Sequence, residues 1–451
     1  MRKLVEYFSL KPYRTLGILF GIIVFFYFVM IFIPRTSNLL IASDGIRYYM
    51  WVRSLVIDHD LNFANEYSFF TDYSKYFYLD PMVQTSTGYI ANKSFIGSGV
   101  LWVPFFFIAH IISKFLNYFG VYVNTDGYTY IYQASACIGS IIYGFLGIVL
   151  IFQTVKRYFP KSALGTCLII LFGTNVIYYM LFEPLMPHMC SLFAVAMLMN
   201  YWLGSRPINK LSKWFTIGLM GGLISIIRLP DITYLLLPIF DGLLDRETTV
   251  AQKIKIMGIV SIGFILIFSL QVINWYLIYG TPFPDAYSYS GDYFKWFSSD
   301  FFKVLFSNPQ GILFLHPILL TGFIGFPLLY QRDRKLTILL ILGLIFQIYI
   351  IGAYQNWDQG VAYGGRMLIA SFPVLAMGIG AFLSWQNSRQ IKPYFIAISM
   401  ILILWNGLNI IQYRLSYIPH FGKFTLGQLF YEKIQMIGIF INRAYYLFFP
   451  T

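Results

Sequence analysis

Long apolar runs separated by short polar segments dominate this chain. "TLGILFGIIVFFYFVMIFI" covers Thr15–Ile33, and further runs recur as far as Tyr413. Runs of about 18 residues or more are long enough to cross the hydrocarbon core as helices. The pattern predicts an all-α polytopic membrane protein. The first run is too long for a signal-peptide h-region, and no A-x-A site follows it, so it is expected to remain as a first span. No internal repeat, linker or soluble segment interrupts the pattern. A single domain over 1–451 is therefore expected.

The polar segments between the runs set the topology. Six of them are basic: Met1–Arg14, Lys156–Lys161, Ser205–Lys213, Asp245–Lys255, Gln331–Lys335 and Asn387–Lys392. They hold more than half of the 32 Lys and Arg residues. By the positive-inside rule all six belong on the cytoplasmic side. Thr15–Ile33 leaves Arg35 outside and Lys156 must be inside, so an odd number of crossings lies between them. Two apolar runs, Gly97–Leu116 and Tyr128–Val155, occupy that interval. One of them cannot cross. Gly97–Leu116 contains Pro104, His110 and Lys114 and leads into the polar "NTDGY", so it is predicted to lie along or dip into the outer surface.

The remaining runs alternate: Ser162–Phe182, Met189–Gly204, Trp214–Ile227, Ile232–Leu244, Ile256–Tyr279, Gly311–Tyr330, Leu336–Tyr354, Met367–Gln386 and Pro393–Tyr413. With Thr15–Ile33 and Tyr128–Val155 the expectation is about eleven spans. The first external loop, about 34–127, is the largest polar part, and a short external tail, about 414–451, ends the chain.

Composition agrees with this picture. Hydrophobic residues make up 58% and charged residues 11%, where a soluble domain carries about 25% charge. The net charge of +13 comes from the loop segments and reads as a topology signal, so a nucleic-acid partner is not expected. Cys137, Cys167 and Cys190 fall inside apolar runs and read as small buried hydrophobes. Trp51, Trp102, Trp275, Trp296 and Trp357 read as interface belts. Asn92-Lys93-Ser94 matches a glycosylation acceptor.

Acids gather in the external loops, and that turns attention to chemistry. Asp44 opens "DGIRYYMWVRSLV", whose spacing fits an interfacial amphipathic helix capped by Ser43. An acid in a first helical turn is stabilised by the helix dipole alone, and it is also placed to act as a base. Arg47, one turn along, can keep it ionised. Arg228 follows an apolar run of about 14 residues, too short to clear the hydrocarbon core comfortably, so it belongs at membrane depth with Asp231 as partner. Arg366 follows "YGG" at the outer end of a span, where arginines also snorkel. Glu183 and His188 flank two prolines in "EPLMPH". With Asp44 they are of the types that ligate a divalent cation, or they cap adjacent helix ends.

The order of these blocks resembles the C-class (GT-C) membrane glycosyltransferases, which include the protein O-mannosyltransferases and the bacterial aminoarabinose transferases. The likeness rests on the first span with "SDGIRYYMWVRSLVIDHDLNFANEY", on "GYIANKSFIGSGVLWVPFFFIAH" (Gly88–His110), on "SNPQGILFLHPIL" and on "WDQGVAYGGRMLIASFPVLAMGIGAFL". It implies a GT-C-like bundle whose first external loop carries short helices along the membrane and an acid near its start, here Asp44. Several relatives carry two adjacent acids where this chain has Asp44 and Gly45, so the resemblance does not carry a metal site across.

The activity implied is inverting transfer of a sugar from a polyprenyl-phosphate carrier to an extracytoplasmic acceptor, in a bacterial plasma membrane. Asp44 would be the general base, and Arg228 and Arg366 would hold the lipid phosphate. No cofactor is required for these steps. A lipid or sugar transporter is the rival of a different class. Convergence of Asp44, Arg228 and Arg366 on one cavity separates the two expectations.

Overall fold

The computed structural model describes residues 11–33, 39–75, 79–208, 210–245, 247–308, 310–358, 360, 362–387, 389, 391–417 and 425–448. Most of the Met1–Arg14 segment, Arg35 and the start of the first loop, Arg246, and residues 418–424 and 449–451 of the expected tail lie outside them.

The helices in chain order are α1 (Pro12–Ile31), α2 (Asp44–Arg53), α3 (Ala64–Thr71), α4 (Gly97–Tyr118), α5 (Tyr130–Tyr158), α6 (Ala163–Gly173), α7 (Val176–Leu181), α8 (His188–Ser205) and α9 (Leu211–Ile227). They continue with α10 (Leu236–Leu243), α11 (Val250–Tyr279), α12 (Phe301–Phe306), α13 (Ile312–Leu315), α14 (Leu320–Tyr330), α15 (Arg334–Ala353), α16 (Phe372–Asn387), α17 (Lys392–Arg414) and α18 (Leu426–Phe448). Among the described residues there is no strand beyond two isolated bridges. Among the described residues, seven helices are long and apolar enough to cross a membrane. The chain is a multi-pass α-helical membrane protein.

Side-chain pairings show how the helices run. Tyr13 of α1 packs edge-on against Phe152 at 5.2 Å, and Phe20 meets Phe145 at 5.0 Å, so α1 lies antiparallel to α5. The second half of α5 runs parallel to α8: Gly144 abuts Met189, Gly147 abuts Leu192, and Arg157 donates to the Asn200 carbonyl at 2.6 Å. The first half pairs instead with α4. Tyr143 donates to the Leu101 carbonyl at 3.2 Å, Trp102 to Ser140 at 2.9 Å, and His110 meets the Tyr132 hydroxyl at 2.7 Å. These pairings carry α4 along the half of α5 away from its basic end.

The basic segments meet at one end of the bundle. Arg206 pairs with Asp241 and with Asp333, each at 2.8 Å, and Lys335 lies 3.0 Å from Asp241. Arg332 lies over the Phe159 ring at 5.1 Å, and Asn387 donates to Ser162 at 3.5 Å. Tyr13 and Lys156 are together here too. The chain therefore leaves and re-enters this end between residues 13 and 156; α4, expected to lie along the outer surface, is nonetheless one of the seven helices long and apolar enough to cross.

Several expected spans are broken. Ser162–Phe182 splits into α6 and α7 at Thr174, whose backbone is extended. Ile232–Leu244 is a 3-10 turn (Leu229–Leu235) followed by the eight-residue α10. Gly311–Tyr330 divides at His316, where Pro317 removes an amide donor. Each break frees backbone groups that a continuous helix would satisfy internally, and such breaks are tolerated only where protein or a cavity surrounds them. At one crossing α14 and α16 touch through glycines: a Cβ on Gly325 would meet the Gly378 carbonyl oxygen at 1.8 Å.

Four other expectations are corrected. α2 does not lie open on one face, because Ile46, Arg47, Tyr49, Met50, Trp51, Val52 and Arg53 are all buried. Trp51, Trp102 and Trp275 are core residues, and the first two donate to the Ser94 carbonyl and to Ser140. Asn92 is buried and donates to the Arg47 carbonyl, so it offers no glycosylation site. The expected tail contains the 23-residue α18, which packs Phe430 against Trp405 of α17 at 4.9 Å.

The end-sorting of the basic segments has a direct check. In a variant without the three native cysteines, Tyr158→Cys and Arg332→Cys should resist a membrane-impermeant maleimide added to intact cells. Tyr122→Cys, at a highly exposed position, should react. Labelling of either of the first two from outside would overturn the assignment of sides.

Candidate active site

Asp44 opens α2 at a tight turn, where the Gly45 amide donates to the Ala42 carbonyl at 3.1 Å. Ser43 takes a left-handed backbone (φ 48°) and its side chain makes no capping hydrogen bond, contrary to the expectation that it caps α2. The carboxylate instead accepts from two guanidiniums. Arg47, three residues along α2, donates to Oδ1, and Arg366 donates to Oδ2 at 2.5 Å. The Asp44 side chain keeps 32% exposure, while Arg47 and Arg366 keep 7% and 9%.

Arg366 reaches this point because of the glycines before it. Gly364 and Gly365 adopt φ of 65° and 61°, a backbone that favours glycine. A Cβ on Gly364 would also meet the His316 ring at 2.3 Å. The turn is held by Asn175, at the break between α6 and α7, which donates to the Gly364 carbonyl, and by Tyr179, which donates to the Tyr363 carbonyl at 3.2 Å. The broken spans therefore aim Arg366.

Arg228 sits where α9 ends, with extended backbone. Its Nη1 donates to the Met367 carbonyl at 3.2 Å and lies 3.7 Å from Asp231. Asp231 is fully buried and accepts from Ser191 at 2.7 Å and Gln347 at 2.8 Å. The expected pair with Asp231 exists, and Arg228 also faces the cavity.

Asp44, Arg228 and Arg366 line one cavity of about 560 Å³, together with His188. All four stand at helix ends remote from the basic segments. His188 is 4% exposed, with Nδ1 lacking a hydrogen-bond partner. Glu183 does not join them. Its Oε1 accepts from the Tyr178 hydroxyl at 2.7 Å. Burial pushes the Glu183 carboxyl above its ordinary range. The grouping of Asp44, Glu183 and His188 around a cation is thus not formed. Among the described residues no three His, Cys, Asp or Glu side chains gather closely enough to hold a metal ion.

Sequence reasoning missed half of the polar wall. Arg47 also donates to Asp80, Asp80 lies 3.2 Å from Lys93, Lys93 pairs with Asp292 at 2.7 Å, and Asn356 donates to Asp292 at 2.8 Å. Charges alternate along this line from Arg366 to Asp292, and it ties the first loop to the loops before α12 and after α15. Asp80 and Asp292 come from irregular segments, where no periodicity marks a residue as inward. Beside Asp292, whose amide donates to the Tyr287 carbonyl at 3.1 Å, stand Tyr287, Phe294 and Tyr354, with ring centroids 5.3 to 5.9 Å apart.

Electrostatics decide the state of Asp44. Burial alone would push its carboxyl up. Arg366 and Arg47 outweigh that, with a further contribution from Lys93, and hold it well below the usual carboxylate range. The cavity therefore presents an ionised carboxylate beside Arg366 and Arg228, while Arg47 and Lys93 are shared with Asp80 and Asp292. Such a site can accept a proton and can bind an anion through fork-shaped donors. Tyr48, also on the wall, is pushed above its ordinary value by burial and is a neutral donor.

No family model matches the chain, and no curated protein is significantly similar to it.

The wall's dependence on Arg47 is testable. Arg47→Met leaves Asp44 and Asp80 facing each other without their shared cation. Removing one member of a buried ion pair costs about 3–5 kcal/mol, so thermal unfolding of the purified variant in detergent should shift markedly down. A melting temperature equal to the parent's would show that the line of charges carries no stability.

Proposed function

We propose that the protein is a polytopic membrane glycosyltransferase of the C class. It transfers a sugar from a polyprenyl-phosphate carrier, with inversion, to an acceptor on the extracytoplasmic face: a glycolipid, a polysaccharide or a protein. The observation that carries this reading is the meeting of residues 44, 228 and 366 in one cavity. An acid and two arginines from three distant parts of the chain have been brought to one place, at the bundle end remote from the basic segments.

Each residue has a task that its chemistry suits. An acceptor hydroxyl attacks the anomeric carbon, and Asp44 takes its proton. The bond from that carbon to the phosphate oxygen breaks, and the electron pair leaves with the lipid phosphate. Arg366 and Arg228 stabilise the charge that develops there. The aromatic wall of Tyr287, Phe294 and Tyr354 offers apolar faces to a sugar ring.

The topology that goes with this reading has about eleven spans, a GT-C-like bundle, and α4 confined to the outer side. It places the cavity at the outer surface of a bacterial plasma membrane, where a polyprenyl carrier is within reach. One observation favours a second reading, a lipid or sugar transporter. Broken helices around a ligand site are a transporter habit, and this chain has several. The two differ in products, because a transporter moves the intact donor and releases no lipid phosphate.

Purified protein incubated with a panel of polyprenyl-phosphate sugars should release polyprenyl phosphate from at least one. Asp44→Asn should lower that rate by at least about a hundredfold, the lower end for general-base catalysis. Asp58→Asn should cost far less, since Asp58 serves Arg53 and Asn65 in the same loop. Arg366→Lys and Arg228→Lys keep charge but lose the fork, and each should weaken donor use while the protein stays folded. Translocation of the donor without phosphate release would favour the transporter. Full turnover by Asp44→Asn would remove Asp44 from the chemistry.

A further inference from the structure

Asp44 is paired too completely to be a good base in the resting site. Oδ1 accepts from Arg47 and Oδ2 from Arg366. Donors on a carboxylate favour its ionised form and so weaken its pull on a proton. A useful general base has a pKa near working pH. Arg366 has the complementary difficulty: its Nη2 donates to Asp44 and its Nη1 lies 3.7 Å from the Met186 Sδ, so a phosphate gripped by the fork must displace one of these contacts. The two roles compete for one hydrogen bond.

Exchange of that bond resolves the competition. We propose that the donor's phosphate takes Arg366 from Asp44, so that donor binding itself turns Asp44 into a competent base. The inference rests on the transferase reading above.

The geometry says which partner can leave. Arg47 is fixed on the same helix as Asp44 and is locked between two carboxylates, Asp44 and Asp80. Arg366 comes from a different part of the chain, at the start of a 3-10 turn, and it lines the cavity together with Arg228. A phosphate entering between the two arginines gives Arg366 a second anion to hold. Asp44 then keeps Arg47, with Tyr48 on its own helix. Lys93 stands before α4, Glu183 and His188 precede and begin α8, and Arg228 ends α9. Loss of one guanidinium from this set raises its basicity.

The cycle balances. The acceptor proton moves to Asp44 as the acceptor oxygen bonds to the anomeric carbon. The phosphate leaves with the electron pair and gains a negative charge, which Arg366 and Arg228 hold. When lipid phosphate departs, Arg366 returns to Asp44, lowers its basicity again, and drives the proton to water. The unoccupied enzyme therefore carries a weak base, and water in an empty site is poorly activated.

Competition predicts a sign that a simple base does not. With the full-length protein in detergent and farnesyl phosphate as probe, Asp44→Asn should bind the probe more tightly than the parent, about fivefold or more, a usual size for coupling between sites. The same substitution in an Arg366→Gln background should change affinity less than about twofold, because the competitor's target is gone. In an Arg228→Lys background the tightening should persist. Asp44→Ser supplies a second variant lacking the carboxylate should the Asn form unfold. Unchanged or weakened binding by Asp44→Asn overturns the proposal and leaves the transferase reading standing. Tightening that survives in Arg366→Gln also overturns it, since plain repulsion between carboxylate and phosphate then accounts for the effect. Failure of the parent to bind farnesyl phosphate at all removes both.

Discussion

An arginine 322 residues further along the chain supplies a counter-charge to Asp44. Neither residue is comfortable alone. A carboxylate and a guanidinium drawn out of water each lose several kcal/mol of hydration, and close pairing recovers that loss only with good geometry. The Asp44–Arg366 pair therefore constrains everything around it. α2 must begin where the first loop meets the bundle, and the chain before α16 must turn sharply enough to present Arg366 at the same point. Both partners also need water or further polar contacts on their remaining sides, which the cavity and the line of charges through Arg47, Asp80 and Lys93 supply.

The breaks in the helices follow from that constraint. Asn175 can pin the Gly364 turn only because α6 stops at Gly173 and the chain is extended at Thr174. His316 occupies the space left by the missing Cβ of Gly364, at the point where α13 ends. Arg228 needs α9 to stop at Ile227 so that its side chain can reach the Met367 carbonyl. Regular helix would bury these groups along the bundle. Interrupted helix gathers them at its end, as a membrane protein must when polar groups are to line a cavity.

Much of this was legible in the sequence, because charge and hydropathy are one-dimensional signals. The apolar runs marked the class. The basic segments sorted the helix ends, and Tyr13 of the first span does meet Lys156 and Phe152 near the end of α5. Asp44, Arg228 and Arg366 stood out as charges at run ends, and they share a cavity. What stayed hidden depends on three-dimensional neighbours. Asp80 and Asp292 look like any loop acids until Lys93 is seen between them. Glu183 looked like a partner for His188, yet the turn after α7 directs it to Tyr178. Trp51 and Trp102 sit near run ends as interface residues do, and only the packing of α2, α4 and α5 buries them. The helix breaks left little trace, since Thr174 and His316 are single residues inside long apolar stretches.

The most direct test of the account is a structure determined with a polyprenyl monophosphate bound. The phosphate should lie between Arg366 and Arg228, within hydrogen-bond distance of both, with Asp44 released from Arg366 and still held by Arg47. A lipid phosphate seated elsewhere, with the Asp44–Arg366 pair intact, would contradict it.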